Sequence, residues 1–196
     1  MLEFKARTNL KLQVTDRQIE IIIGTILGDG YIHPLGKIQL EQSSKYLQYI
    51  NWKYEELRNL AYSPPKLIQR IDKRSNKIYE GARFWLRQYF RPLRQTFYPK
   101  GKKIVPRIVS KYFTALCLAV WYMDDGNLYR GRNLKIATDG FDSKSRVLLK
   151  NLLLTKFGIK STIHVNGKLR ISSESLERFK EIVRPFIQPS MIHKIS

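Results

Sequence analysis

The 196-residue sequence contains one cysteine and three histidines, and its 16 acidic residues are outnumbered by 36 lysines and arginines. A single cysteine excludes an internal disulfide and argues against a cysteine-based zinc site. Cys117, set in an apolar run, reads as a small core residue of an intracellular chain. His33, His164 and His193 fall at no metal-ligand spacing, which also argues against zinc. Long apolar runs are missing: residues 21–27 and 112–123 fall well short of the roughly 20 residues that span a bilayer. The first residues lack the apolar stretch and small-residue cleavage site of a secretion signal. No low-complexity tract or Gly/Ser linker interrupts the chain.

What the sequence has in excess is positive charge, a formal +20. With 43% hydrophobic residues the chain is apolar enough to fold around a core. Its basic residues run from Lys5 to Lys194 rather than gathering in a tail, so the charge belongs to a folded surface. Such a surface points to a polyanion, and nucleic acid before a membrane.

The chain also repeats itself. "DGYIHPLGKIQLEQ" from Asp29 answers to "DGNLYRGRNLKIATDG" from Asp125. Amphipathic helices are expected over residues 43–62 and 142–158, each followed by two strands. In the second half Lys160, Thr162, His164 and Asn166 alternate with Ile163 and Val165, then Lys168, Arg170 and Ser172 with Leu169 and Ile171. In the first half, residues 66–72 and 77–84 read as a hairpin around "KRSN". Helices over 83–97 and 174–186 close the two halves. The organisation is thus α+β: residues 1–100 form one half with the start of a linker, residues 101–196 the other, and "PKGKKIVP" (99–106) is the joint. Each sheet has an oily face and a basic face, the latter free to meet a ligand.

Two apolar helices end on an acid: "IIIGTILGDG" on Asp29 and "CLAVWYMDDG" on Asp125. Asp-Gly is a common turn dipeptide, and Gly a common helix stop. An acid at the negative end of a helix is nevertheless mildly unfavourable unless a cation offsets it, and here the arrangement recurs. Packing the two helices about a pseudo-twofold axis brings Asp29 and Asp125 together, where they repel unless a cation lies between them. Hard oxygen ligands suit Mg²⁺ or Mn²⁺. Gly24 and Gly28 offer the small surface for close helix approach. Paired carboxylates on a basic protein suggest metal-assisted phosphodiester cleavage.

Residues 22–30 and 118–126 resemble the two copies of the LAGLIDADG motif of homing endonucleases and related intron maturases. "SPPK" (63–66), "KKIVP" (102–106) and "RPFIQPSMIHKIS" (184–196) are similar to segments of the monomeric, intron-encoded, two-motif branch. The resemblance implies a single-chain pseudodimer of two αββαββα halves whose saddle of antiparallel strands covers the DNA major groove. It implies Mg²⁺-dependent cleavage of both strands of a long asymmetric site, leaving 3′ overhangs and promoting intron mobility, with Mn²⁺ able to substitute. Asp29 and Asp125 take the metal-binding role, joined by the backbone carbonyls of Gly28 and Asp124. Lys103 and Lys194 match the basic residue of each active centre, with Lys102 competing for the first place. Gln39 and Glu41 match residues that order active-site water, and Thr138 and Asp139 are their looser counterparts. Val120 and Trp121 depart from the small residues of the motif's middle and imply asymmetric packing.

For DNA contact the basic faces offer Lys37, Gln39, Lys66, Arg70, Lys77, Tyr79 and Arg83, and in the second half Arg130, Arg132, Lys135, Thr138, Lys160, Thr162, His164, Lys168 and Arg170. Trp52, Trp85 and Trp121 are expected in the core. The alternative to a nuclease is an RNA maturase whose basic surface holds intron RNA; a third reading, a non-catalytic regulator, fits poorly with two retained acids. The expected location is the compartment holding the target DNA, whether an organelle or an archaeal or bacterial cytoplasm.

Overall fold

A computed structural model describes residues 2–5, 11–71 and 76–196. Strands β1 (Leu2–Lys5) and β2 (Lys11–Val14) pair antiparallel ahead of the repeat. The first half then runs α1 (Asp16–Leu27), β3 (Tyr31–Ile32), β4 (Ile38–Ser43), α2 (Leu47–Leu57), β5 (Lys66–Ile71), β6 (Ile78–Leu86) and α3 (Arg91–Phe97). After the short helix α4 (Val109–Tyr112) the second half runs α5 (Ala115–Asp125), β7 (Gly126–Tyr129), β8 (Asn133–Ile136), α6 (Ser143–Phe157), β9 (Ser161–Ile163), β10 (Leu169–Ile171) and α7 (Leu176–Val183). The repeat αββαββα is therefore present twice. Its sheets have matching antiparallel orders, β3-β4-β6-β5 and β7-β8-β10-β9.

The two motif helices form the centre. Thr15 caps α1 through a reciprocal box with Gln18, and Thr114 caps α5 by accepting from the Cys117 N–H. From Ile21 to Leu27 and from Leu116 to Met123 every residue is buried, as expected of helices enclosed on all sides. Glycine sets their separation. A Cβ on Gly24 would lie 2.6 Å from the Cys117 carbonyl oxygen and 2.8 Å from Val120 Cβ, and one on Gly28 would lie 2.5 Å from Asp124 Cβ. The first helix presents bare backbone to the side chains of the second, which is the packing asymmetry expected from Val120.

Outer helices cover the apolar faces of the sheets. Ile38 and Leu40 of β4, Phe84 and Leu86 of β6, Leu134 and Ile136 of β8, and Leu169 and Ile171 of β10 are all buried. The opposite faces carry Gln39, Glu41 and Arg83 in the first sheet, and Asn127, Lys135 and Arg170 in the second, matched in register across strands.

Three expectations are corrected. The helix expected over 83–97 starts only at Arg91; residues 83–86 extend β6, because Ala82, Phe84 and Leu86 alternate onto the core against β4. Ile163 and Val165 do not floor the second sheet. β9 ends at Ile163, and Val165 is 98% exposed beside the 164–167 turn, where the Gly167 N–H donates to the His164 carbonyl. Trp85 lies on the polar face, directly across from Gln39, while Trp121 is fully buried. The strand pair β1–β2 was not expected; it docks through Phe4, whose ring lies 5.1 Å from that of Phe90. The expected turn at "KRSN" lies mostly outside the described residues. Among the described residues no helix is long and apolar enough to cross a membrane.

Candidate active site

Gly28 ends α1 by donating to the Gly24 carbonyl, so Asp29 is the first residue free of the helix; Asp125 is the last residue of α5, capped by Gly126. The two helix ends therefore deliver one acid each to the same place. Their mutual effect is electrostatic. Burial pushes the Asp125 carboxyl up to about 7, and the nearby Asp29 and Asp124 charges push in the same direction, against the pull of Lys103 and Lys194. Burial, more than the neighbouring acids, therefore makes the ionised form of Asp125 costly.

Each acid is preceded by a carbonyl that accepts from a lysine. Lys103 Nζ donates to the Gly28 carbonyl at 3.0 Å and reaches that of Gly30 at 3.5 Å. Lys194 Nζ donates to the carbonyls of Met123 and, at 3.3 Å, Asp124. Burial lowers the pKa of both ammonium groups, against the pull of the three acids. Lys102 is exposed, whereas Lys103 is half-buried at the end of α1, where the charges of the acids act on it. The C-terminal segment that carries Lys194 is tied to both halves: the Tyr122 hydroxyl donates to the Lys194 carbonyl, and the His193 ring stacks on Tyr46 at 5.8 Å.

The Asp124 side chain has a separate task. It is fully buried, both of its oxygens accept from Lys53 Nζ, at 2.8 and 2.9 Å, and Gln42 Nε2 donates to it at 3.1 Å. Burial raises its carboxyl above the usual range, and Lys53 opposes that shift. The same Gln42 nitrogen donates to Asp29 Oδ2 at 3.0 Å, linking the first-half acid to the second helix. The Asp124 backbone carbonyl, in turn, accepts from Lys194.

Among the described residues no group of three or more His, Cys, Asp or Glu is arranged to hold a metal. The groups at the two helix ends that could hold a metal are the carboxylates of Asp29 and Asp125, which interact electrostatically, and the carbonyls of Gly28 and Asp124. All are hard oxygens, and the carbonyls already attract ammonium groups. That chemistry suits a hard cation such as Mg²⁺ or Mn²⁺ better than zinc.

A cavity of about 700 Å³ opens beside Asp29 and is lined by Gln39, Glu41, Gln42, Tyr46, Arg70 and Tyr79, among others. Lys66, Arg70, Tyr79 and Arg83 share the polar face of the first sheet, and Lys135, Thr162 and Arg170 that of the second. Lys37, Lys77, Arg130, Arg132, His164 and Lys168 lie on the connections around these strands. Lys160 is exposed at the rim and paired with Glu174 at 3.2 Å. Thr138 is a correction: it is 1% exposed and donates to the Gly167 carbonyl, so it ties down the β9–β10 turn instead of facing a ligand. Glu41 is held by arginines on the sheet and makes no hydrogen bond to Asp29 or Asp125. Sequence reasoning missed Lys53 and Gln42, whose neighbours give no sign of a buried charge. It also missed Tyr31, Asn127, Tyr129 and Asn133, which strand alternation from the two Asp-Gly turns would have found.

Comparison with known proteins identifies the family. A family model described as the LAGLIDADG DNA endonuclease family matches residues 19–179. The chain is 29% identical over 202 residues to the cytochrome b mRNA maturase bI2 of Debaryomyces hansenii, covering 95% of this chain and 76% of that one. It is 32% identical over 195 residues to the probable intron-encoded endonuclease 1 of Wickerhamomyces canadensis, covering 91% and 83%. Its fold matches the structure of the homing endonuclease I-WcaI bound to its DNA recognition sequence, with a TM-score of 0.83 and 28% identity over 94% of this chain and 88% of that one. With the repeated fold, the paired motif acids and a family match over most of its length, the chain belongs to the LAGLIDADG DNA endonuclease family.

Proposed function

We propose that this protein is a monomeric, Mg²⁺-dependent endonuclease that cuts both strands of a long asymmetric DNA site and so promotes the mobility of an intron. The observation that supports the reading is that Asp29 and Asp125, one from each half, lie close enough to interact electrostatically in a partly buried site flanked by Lys103 and Lys194. One chain supplies both acids, so no second copy is required. Asp29, Asp125 and the carbonyls of Gly28 and Asp124 would hold the divalent cation, and Mn²⁺ would substitute. A bound cation would supply Lewis-acid polarisation of the phosphate and activation of the attacking water. Lys103 and Lys194 stabilise the charge that builds on the phosphate, and the basic sheet faces position the duplex.

The test is incubation of the purified protein with the intronless form of its own insertion site. With Mg²⁺ the expected products are two cut strands with 3′ overhangs; with Ca²⁺ the duplex is bound and stays whole. A duplex left intact with Mg²⁺ and Mn²⁺ would contradict the reading.

A second reading, an RNA maturase that assists splicing of its own intron, has support in the similarity to the maturase bI2 across 95% of this chain. Splicing promoted by the protein with Asp29→Asn and Asp125→Asn would establish it independently of cleavage.

A further inference from the structure

The basic face of the first sheet carries a carboxylate at its middle. Glu41 lies directly opposite Arg83 across β4 and β6, and Arg70 projects from β5 on the same face. One oxygen, Glu41 Oε2, accepts from Arg83 Nε at 2.6 Å, Arg70 Nη2 at 2.7 Å and Gln39 Nε2 at 3.0 Å. The Glu41 and Arg83 side chains are only 22% and 25% exposed. In the second sheet no strand residue is acidic; there Arg170 donates to the neutral Asn133 at 2.9 Å.

A carboxylate on a surface that meets phosphates weakens the sequence-independent attraction, so Glu41 does not serve general affinity. What it does is hold three long donors in one arrangement. This removes rotamer freedom that they would otherwise lose on binding, and it keeps them from swinging to the nearest phosphate. Each guanidinium has five N–H donors, and only one of each is used among the described residues, so donors remain for a ligand. Among the described residues Glu41 Oε1 accepts no hydrogen bond and is a free acceptor. Forked donors beside an acceptor complement one base pair in the major groove: guanine offers the acceptors N7 and O6, and its cytosine partner offers the N4 donor.

Building on the proposed DNA-cutting function, we infer that Glu41 is a specificity-determining positioning residue that pre-sets Arg70, Arg83 and Gln39 to read base edges, centred on a G·C pair. Glu41 lines the cavity beside Asp29 but hydrogen-bonds to Arg70, Arg83 and Gln39 and not to either motif acid.

The test is selection from a randomised duplex pool in Ca²⁺, comparing the wild-type protein with Glu41→Gln. The wild type is expected to enrich one site. The variant is expected to lose preference by about tenfold at one to three adjacent base pairs that include a G·C pair, to keep the rest, and to bind unrelated duplex more tightly. Arg70→Ala and Arg83→Ala should flatten the same positions, which guards against a folding defect in one variant. Unchanged preference in Glu41→Gln, or an even loss across the whole site, would overturn the inference. Failure of the wild type to enrich any sequence would instead overturn the DNA-binding reading beneath it.

Discussion

Lys53 places its ammonium between both oxygens of Asp124, joining an outer helix of the first half to the motif helix of the second inside the core. The lysine side chain is 1% exposed and also lies over the Tyr49 ring, 4.5 Å from its centre. Removing one partner leaves the other charge buried and unpaired. Lys53→Met should therefore lower unfolding stability by about 3–5 kcal/mol, and Lys53→Met combined with Asp124→Leu should recover most of that loss. Urea unfolding of the three variants measures the difference.

Gly24 makes the second structural prediction. Gly24→Ala puts a methyl 2.6 Å from the backbone oxygen of Cys117, which only a helix shift relieves. The expected cost is about 1–3 kcal/mol, and the acids at the helix ends would be displaced with the helices. Chemical denaturation checks the first effect. The second should weaken Ca²⁺ binding, measured by calorimetry in the presence of duplex.

The Asp125 carboxyl sets a pH dependence. Its folded pKa of about 7 exceeds the ordinary 3.8, so the folded chain retains a proton that the unfolded chain releases. The stability this provides is fully present below about pH 4 and is lost as pH rises through 7, by up to ~4 kcal/mol for a gap of about three units. A divalent cation competes with the proton. Thermal melts should show Mg²⁺ stabilising the protein more at pH 8 than at pH 5; an equal shift at both would contradict this assignment of charge.

Salt should weaken DNA binding steeply, because lysines and arginines on both sheets displace counterions from phosphates. Lys135→Ala, on the polar face of β8, should make the log–log slope shallower by about one. Fluorescence anisotropy across a salt series measures it.

The parts of this fold that were legible in the sequence share a cause. Asp29 and Asp125 stand out because an acid at the end of an oily helix is locally unfavourable, and α2, α6 and the Leu169–Ile171 strand carry unambiguous periods. Residues 83–90 misled because a dense aromatic run satisfies helical and strand spacing at once; pairing with β4, a tertiary contact, decides it. Trp85 was misplaced because a strand read without its register assigns faces by residue type alone, and Thr138 because it lies past the end of β8, where a contact with the Gly167 carbonyl buries it. Lys53 and Gln42 were invisible for a deeper reason: the Asp124 side chain that both bind lies 71 and 82 residues away, and nothing local marks a lysine that is about to be buried.

The most direct test of the central claim is cleavage and binding by Asp125→Asn on the same DNA site. If Asp29 and Asp125 together hold the divalent cation, the variant binds the duplex with near wild-type affinity and cuts neither strand at any Mg²⁺ concentration. Cutting at the wild-type rate would contradict the account and remove Asp125 from the chemistry.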